Sequence, residues 1–464
     1  MAPKFGTSGL RGLVTDLTDD LVADYARAFI AACPTGGCVH IGQDLRPSSP
    51  TIGKAVEDAV CAAGLTAINH GALPTPALAL ASMSAGHGAV MITGSHIPAD
   101  RNGLKFYVPN GEISKQDEQA IIAALGQAPA TGPIGTTQSH TGALPAFVER
   151  YRTAFGGTAL AGLTIGVYEH SSVARDVMGE ILRALGAKTV PLARSETFIP
   201  VDTEAVDPDT RTMLAKWAKD DGLDAIVSTD GDGDRPMVAG PDGAIIPGDI
   251  LGPLTAAELG ADVLVTPVSS NTLIDQIPAF TGCHRTRIGS PFVIAQMETL
   301  LAKTPTAKVV GYEANGGFLL GYDATCSNGP LAPLMTRDSL LPMVAPLVAA
   351  NSKGLSLTEL AATLPACFTA AGRVQEIPTD KSAAFIAQLT DDPAARAAFF
   401  TGVQTESTTD LTDGLRVLFE CGTIVHLRPS GNAPECRCYV ESNDADKAAM
   451  LVDTHLEKLA LQLK

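Results

Sequence analysis

The chain has 464 residues, 45% of them hydrophobic, which is apolar material for several cores and suggests roughly three or four domains of ordinary size. Its 50 acidic against 33 basic residues give a net charge of -17, which excludes a basic face for nucleic acid as the main design and leaves small anions to a local arginine cluster. Nine cysteines without a CxxC pair read as buried reduced thiols of a cytoplasmic protein rather than as a zinc site. No signal-peptide pattern opens the chain and the longest apolar run, residues 340–350, is far short of the ~20 residues that cross a bilayer, so no membrane partner is expected.

In chain order, apolar positions at helical spacing predict a helix over 19–33. Short strands are expected at 88–93 and 104–108. Ser114, three residues before Asp117, marks a helix start for a helix to about 125. Residues 126–142, rich in Gly, Thr, Pro and Ala, read as a linker. A βαβ unit follows: strand 163–168, helix 172–185 ended by Gly186, strand 189–192. Strands are expected at 223–228, 262–266, 284–287 and 308–312, helices at 271–277 and 291–302, and a long apolar helix at 336–350. The last part reads strand, helix, two strands joined by a Cys421-Gly422 turn, a further strand, and a helix from about 444. That order predicts a smaller α+β domain.

Three apolar strands each run into a polar, Gly-containing loop: Val90-Met91-Ile92 into Thr93-Gly94-Ser95-His96, Ile226-Val227-Ser228 into Asp230–Asp234, and Val309-Val310-Gly311 into Glu313–Gly317. Ligand sites form at the C-terminal ends of such strands, so the three loops are expected to face one cleft.

The loops carry the chemistry. Asp230-Gly231-Asp232-Gly233-Asp234-Arg235 alternates carboxylates with glycines, so a tight loop can turn three oxygens toward one hard cation. A calcium EF-hand loop fails on Arg235 at its sixth position and Pro241 at its twelfth, and a haloacid-dehalogenase-type site does not have Arg235. A solvated acidic turn is the plain alternative. Ser95 on its Gly-flanked loop can be a nucleophile, with His96 and Lys105 as proton-transfer groups. Arg428-Pro429-Ser430-Gly431-Asn432, with Arg437 behind it, combines guanidinium, hydroxyl, amide and exposed N–H groups into a phosphate cradle or, more plainly, a turn. Glu313 and Asn315 can hold sugar hydroxyls. Gly6 to Gly12 adds Arg11 on a further glycine-rich loop.

These five motifs, in this order and at these separations, resemble the α-D-phosphohexomutases along the whole chain. The resemblance implies three related mixed-sheet α/β domains (1–145, 146–252, 253–368) and a smaller C-terminal α+β domain (369–464) around a central cleft. It implies Ser95 as phosphoserine, and Asp230, Asp232 and Asp234 as Mg2+ ligands completed by a phosphoserine oxygen. Lys105 then falls at the general-base position, with His96 and Arg11 beside the phosphoserine. Arg235 follows the metal loop, Glu313 and Asn315 face the sugar, and Arg428, Ser430, Gly431 and Asn432, supported by Arg437, grip the non-reacting phosphate. The implied reaction moves a phosphoryl group between the 1- and 6-positions of a hexose phosphate through a hexose 1,6-bisphosphate, which also serves as activator. A monomer or homodimer is expected.

Departures bear on the sugar. Ile97, Asn315, Asn432-Ala433 and Arg287–Ser290 differ from the commoner family residues, and Gly317 stands where many members carry histidine. The Glu-Ala-Asn-Gly-Gly loop looks most like phosphomannomutase-type members, which points to mannose 6-phosphate and mannose 1-phosphate. Glucose phosphates differ only at the 2-hydroxyl and stay the near alternative, with glucosamine phosphate behind. A phosphatase or a sugar-phosphate sensor on the same fold are the competing classes.

Overall fold

The computed structural model describes residues 3–6, 9–128, 132–431 and 434–464. Its first three units share one chain path. In the second unit the chain lays down Thr164–His170, adds Lys188–Arg194 outside it in parallel, crosses back to place Ala225–Thr229 on the other side, then reverses into the antiparallel Pro236–Ala239. The third unit repeats the path with Val263–Pro267, Gly282–Thr286, Val309–Tyr312 and Phe318–Leu320. The first unit follows it with Cys38–Gln43, Thr66–Ala72, Gly88–Ile92 and Arg101–Val108, and adds Leu10–Leu13 beyond the last of these. The reversal loops after Ile92, Thr229 and Tyr312 are therefore topologically equivalent. They are the three polar loops singled out by the sequence.

The strands entering those loops, Gly88–Ile92, Ala225–Thr229 and Val309–Tyr312, are buried at every residue. Helices cover both faces of a parallel sheet, so such strands read as continuous apolar runs. The helix Lys115–Ala123 starts at a capping box in which Ser114 and Asp117 satisfy each other's backbone N–H groups. Gly186 takes φ 97°, the left-handed turn that ends the helix Arg175–Ala184.

The fourth unit is an antiparallel sheet in the order Phe368–Gln375, Glu435–Ser442, Ile424–Pro429, Leu415–Phe419, Glu406–Asp410, backed by the helix Ala445–Leu463. Its core, from Val374 to Leu463, is its own, whereas one large core joins side chains from Leu73 to Leu360 across the earlier units. A core of its own is what marks the fourth unit as a separate domain.

Four expectations change. Residues 126–142 contain a strand, Thr137–Ser139, on the edge of the first sheet, too polar and exposed to show a period. The helix expected over 336–350 is Leu341–Lys353, because Leu334–Asp338 is a strand whose burial on both faces hides its alternation. The polar edge strand Glu406–Asp410 adds a fifth strand to the last sheet, and 271–277 holds a 3-10 turn, Thr272–Gln276. Apart from these, the helix Gly248–Glu258 contains residues 252 and 253. Among the described residues no helix is long and apolar enough to cross a membrane.

Candidate active site

Ser95 sits in the first reversal loop with φ 53°, a left-handed backbone that a non-glycine residue adopts only where its surroundings enforce it. The enforcing group is Arg46. Its guanidinium donates to the carbonyls of Ser95 (2.8 Å), Ile97 (2.6 Å), Pro98 (2.7 Å) and Arg101 (2.9 Å), and it is itself held by the fully buried Asp44 at 3.1 Å. Thr93 Oγ1 accepts from the Ser95 N–H at 2.7 Å. The loop is thus tied down from below while Ser95 Oγ is presented upward.

That hydroxyl donates to Asp230 Oδ2 of the second unit at 2.6 Å. The two loops approach so closely that a Cβ on Gly231 would stand 2.9 Å from the Ser95 carbonyl oxygen. Asp230, Asp232 and Asp234 are all buried and offer carboxylate oxygens within 4.8 Å of one another. One side of this cluster is compensated: Asp232 Oδ2 accepts from Thr75 Oγ1 (2.7 Å) and Lys105 Nζ (2.5 Å), and Asp234 Oδ2 from Lys105 Nζ (2.5 Å) and Arg337 Nη2 (2.8 Å). The other side has no hydrogen bonds: Asp232 Oδ1 and Asp234 Oδ1 are buried with no hydrogen-bond partner, and Asp234 Oδ1 has only the distant Arg235 Nε at 4.0 Å. Burial, then the Asp232 and Asp234 charges, push Asp230 well above the carboxylate range. Orphaned hard oxygens with a surplus of negative charge fit a divalent cation.

His96 lies 3.5 Å from Ser95 Oγ through Nδ1, which also accepts from Arg235 Nη1 at 2.8 Å. Burial first, and Arg235 second, lower its pKa to about 3, so the ring is neutral and acts as an acceptor. Arg437 and Arg11 add to that lowering, which brings the fourth unit's arginine to the same cleft as Arg11. Arg11 sits on the strand Leu10–Leu13, paired with Gly103, and not on the expected loop. Arg11 is itself lowered to about 10 by burial.

Glu313 is buried and takes Arg337 Nη1 at 3.3 Å. Asn315 turns its Oδ1 to the Gly317 N–H at 3.0 Å, closing its own loop and leaving its amide nitrogen outside that bond. In the last loop Arg428 pairs with Asp413 at 3.0 Å, Ser430 is buried and donates its N–H to the Glu435 carbonyl at 2.9 Å, Gly431 is exposed, and Arg437 pairs with Glu435 at 2.8 Å. Asn432 lies outside the described residues.

Sequence reasoning missed Arg46, Thr75 and Arg337. No local pattern marks them, because each acts through a partner more than 40 residues away. It also missed Asp202, whose carboxylate meets Arg373 at 3.6 Å.

The chain matches the phosphoglucomutase/phosphomannomutase models for alpha/beta/alpha domains I, II and III over residues 2–130, 146–243 and 247–368, and for the C-terminal domain over 378–458. It is 44% identical to a phosphomannomutase of Sinorhizobium fredii, covering 97% of this chain and 98% of that one. It is 43% identical to a phosphomannomutase of Salmonella muenchen, over 99% and 96%. A phosphoglucosamine mutase of Thermobifida fusca is more distant, at 29% over 98% and 97%. Among solved structures, a putative phosphomannomutase from Thermus thermophilus superposes with a TM-score of 0.77 at 22% identity, covering 99% of each chain. With every unit of the fold matched in order, the chain belongs to the phosphoglucomutase/phosphomannomutase family, enzymes that are phosphohexomutases.

Proposed function

We propose that the protein interconverts mannose 6-phosphate and mannose 1-phosphate. The observation that carries the chemistry is Ser95 Oγ at 2.6 Å from Asp230 Oδ2, a nucleophile set against a carboxylate cluster with two unpartnered oxygens. The choice of sugar is supported by full-length likeness to two phosphomannomutases at 43–44% identity. Phosphoglucomutase activity is the second reading, since one hydrogen bond at the 2-hydroxyl separates the two sugars.

Mg2+ held by Asp230, Asp232, Asp234 and the phosphorylated Ser95 would neutralise charge on the transferring phosphoryl group. The rest falls to the chain. Ser95 carries the phosphoryl group and passes it to a sugar hydroxyl: the sugar O–P bond forms as the Ser95 Oγ–P bond breaks, and the hydroxyl's proton is relayed by Lys105, which gives up one proton as it takes another, to the Ser95 oxygen left behind. The resulting hexose 1,6-bisphosphate turns around in the cleft and returns its other phosphate to Ser95. A trace of that bisphosphate primes the enzyme. His96 and Arg11 steady the phosphoserine, and Arg235 with them. Glu313 and Asn315 orient the sugar, and Arg428, Ser430, Gly431, Asn432 and Arg437 hold the phosphate that is not reacting. Arginine suits that task because its planar fork meets phosphate oxygens two at a time. We take the units as 1–145, 146–252, 253–368 and 369–464. We place the protein in the cytoplasm, as a monomer or homodimer.

The test is a coupled assay with Mg2+ and a trace of hexose 1,6-bisphosphate, comparing mannose, glucose and glucosamine 1-phosphates. Conversion to the 6-phosphate, fastest with mannose and lost in Ser95→Ala, is expected. Release of inorganic phosphate, or no turnover of any sugar, would overturn the reading in favour of a phosphatase or a sensor.

A further inference from the structure

Three arginines stand side by side on the sheet of the fourth unit. Arg373 on Phe368–Gln375 is paired in register with Arg437 on Glu435–Ser442, and Arg437 is paired with Arg428 on Ile424–Pro429. Directly opposed residues share a face of a sheet. Their strand neighbours Val374, Cys436, Cys438 and Leu427 point into the core under the closing helix, so the arginine row points the other way, out of that core.

Like charges directly opposite one another destabilise a sheet, and a row of three requires compensation. Each arginine has a carboxylate. Arg428 has Asp413 at 3.0 Å, Arg437 has Glu435 at 2.8 Å, and Arg373 has Asp202 at 3.6 Å and Glu435 at 3.7 Å. The row is graded: side-chain exposure rises from 11% at Arg428 through 21% at Arg437 to 35% at Arg373. The most exposed guanidinium therefore has the longest contacts, neither of them a hydrogen bond of ordinary length. Its Asp202 partner comes from the second unit and is also felt by His96 and Arg235, so this end of the row opens on the cleft that holds Ser95.

We propose that Arg373 is a third arginine of the phosphate grip, with Asp202 as its stand-in anion when no phosphate is present. A phosphate dianion arriving beside Arg437 meets a guanidinium whose donors are only loosely engaged. It displaces the Asp202 carboxylate and binds Arg373 with charge-assisted hydrogen bonds of ordinary length. Asp202 then sets a threshold: a ligand must offer more than a single carboxylate to take the site. This assignment rests on the hexose phosphate reading only for the identity of the sugar, since the exchange itself needs only a phosphate.

Calorimetric titration of Ser95→Ala protein with inorganic phosphate and with mannose 1-phosphate tests it. Arg373→Met is expected to weaken both by roughly 10- to 100-fold, the size of one charge-assisted hydrogen bond. Arg373→Lys is expected to recover part of the loss, because it keeps the charge without the fork. Asp202→Asn, which keeps the Oδ1 that accepts the Glu204 N–H at 3.1 Å, is expected to tighten both by about 2- to 5-fold, the scale of a part-exposed ion pair. In the otherwise native enzyme, Arg373→Met is expected to raise KM far more than it lowers kcat. Unchanged phosphate affinity in both Arg373 variants overturns the assignment, as does weaker binding in Asp202→Asn, which would make the pair a clamp between units. If phosphate binding responds as expected but no hexose phosphate binds at all, the mutase reading falls and the arginine assignment stands.

Discussion

The aliphatic stem of Arg337 lies where a side chain on residue 317 would begin: a Cβ on Gly317 would stand 2.6 Å from Arg337 Cδ and 2.8 Å from Cγ. A side chain at 317 would therefore meet the Arg337 stem. The guanidinium at the end of that stem pairs with both Asp234 and Glu313 and so links the carboxylate cluster to the Glu313 loop. Gly317→Ala is expected to push Arg337 off both partners, with a stability loss of about 1–3 kcal/mol, the usual cost of overpacking. Turnover should fall with it. Urea unfolding and steady-state kinetics check both, and wild-type values in both would mean that Arg337 can relocate freely.

Metal removal has a readout independent of turnover. Oxygens of Asp232 and Asp234 are buried without hydrogen bonds, a cost that a divalent ion would relieve. Binding to the folded state alone stabilises by about 2.7 kcal/mol at a hundredfold excess over Kd. Melting temperature is expected to drop in a chelator and to climb with Mg2+ concentration, and Asp232→Asn should flatten that climb. An identical melt with and without Mg2+ would sink the assignment.

Acid sensitivity should come from a cluster of histidines outside the Ser95, Asp230 and Glu313 loops. His40 Nδ1 lies 2.8 Å from His70 Nε2 and His40 Nε2 lies 3.1 Å from His87 Nδ1, with the His140 ring packed beyond His70. Burial first, then the neighbouring rings, lower His40 from 6.5 to about 3 and His70 to about 4. A base lowered by folding is protonated first in the unfolded chain. Its contribution is flat above about pH 6.5 and is lost as pH falls toward 4. Asp249, raised to about 7 by burial, works in the opposite sense over the same range. The difference between wild type and His40→Asn isolates the histidines: the gap in urea midpoint should change steadily from pH 7 to pH 5, and a constant gap would refute the link.

Asp413 holds Arg428 through one oxygen and takes the Ile288 N–H of the third unit through the other at 2.9 Å. Asp413→Ala should free the fourth unit and the phosphate arginine together. We expect KM for the hexose phosphate to rise about tenfold, the worth of one charged hydrogen bond, with a smaller change in kcat. A kcat loss without a KM change would place Asp413 in some other role.

The sequence disclosed what is local and periodic. Buried strands before the three reversal loops announced themselves as apolar runs, and Ser114 with Asp117 spelled out a capping box that forms as written. The aspartates were legible because alternate spacing on a glycine loop is itself the chemistry. What stayed hidden is pairwise and long-range. Arg46 matters through carbonyls some 50 residues onward, Arg337 through Asp234 103 residues earlier, and Arg373 through its register with Arg437. The edge strands Thr137–Ser139 and Glu406–Asp410 escaped because backbone pairing, not side-chain burial, makes them.

The shared path of the first three sheets has a consequence for how such a molecule can change. Ser95, Asp230 and Glu313 sit at one topological address in three separate units, and the phosphate arginines in a fourth. Each reversal loop is anchored by its own pair of strands, so it can be rewritten without shifting the register of the others. On the proposed reading, taste for a new sugar can then be acquired in the third loop while the transfer step in the first two is inherited intact.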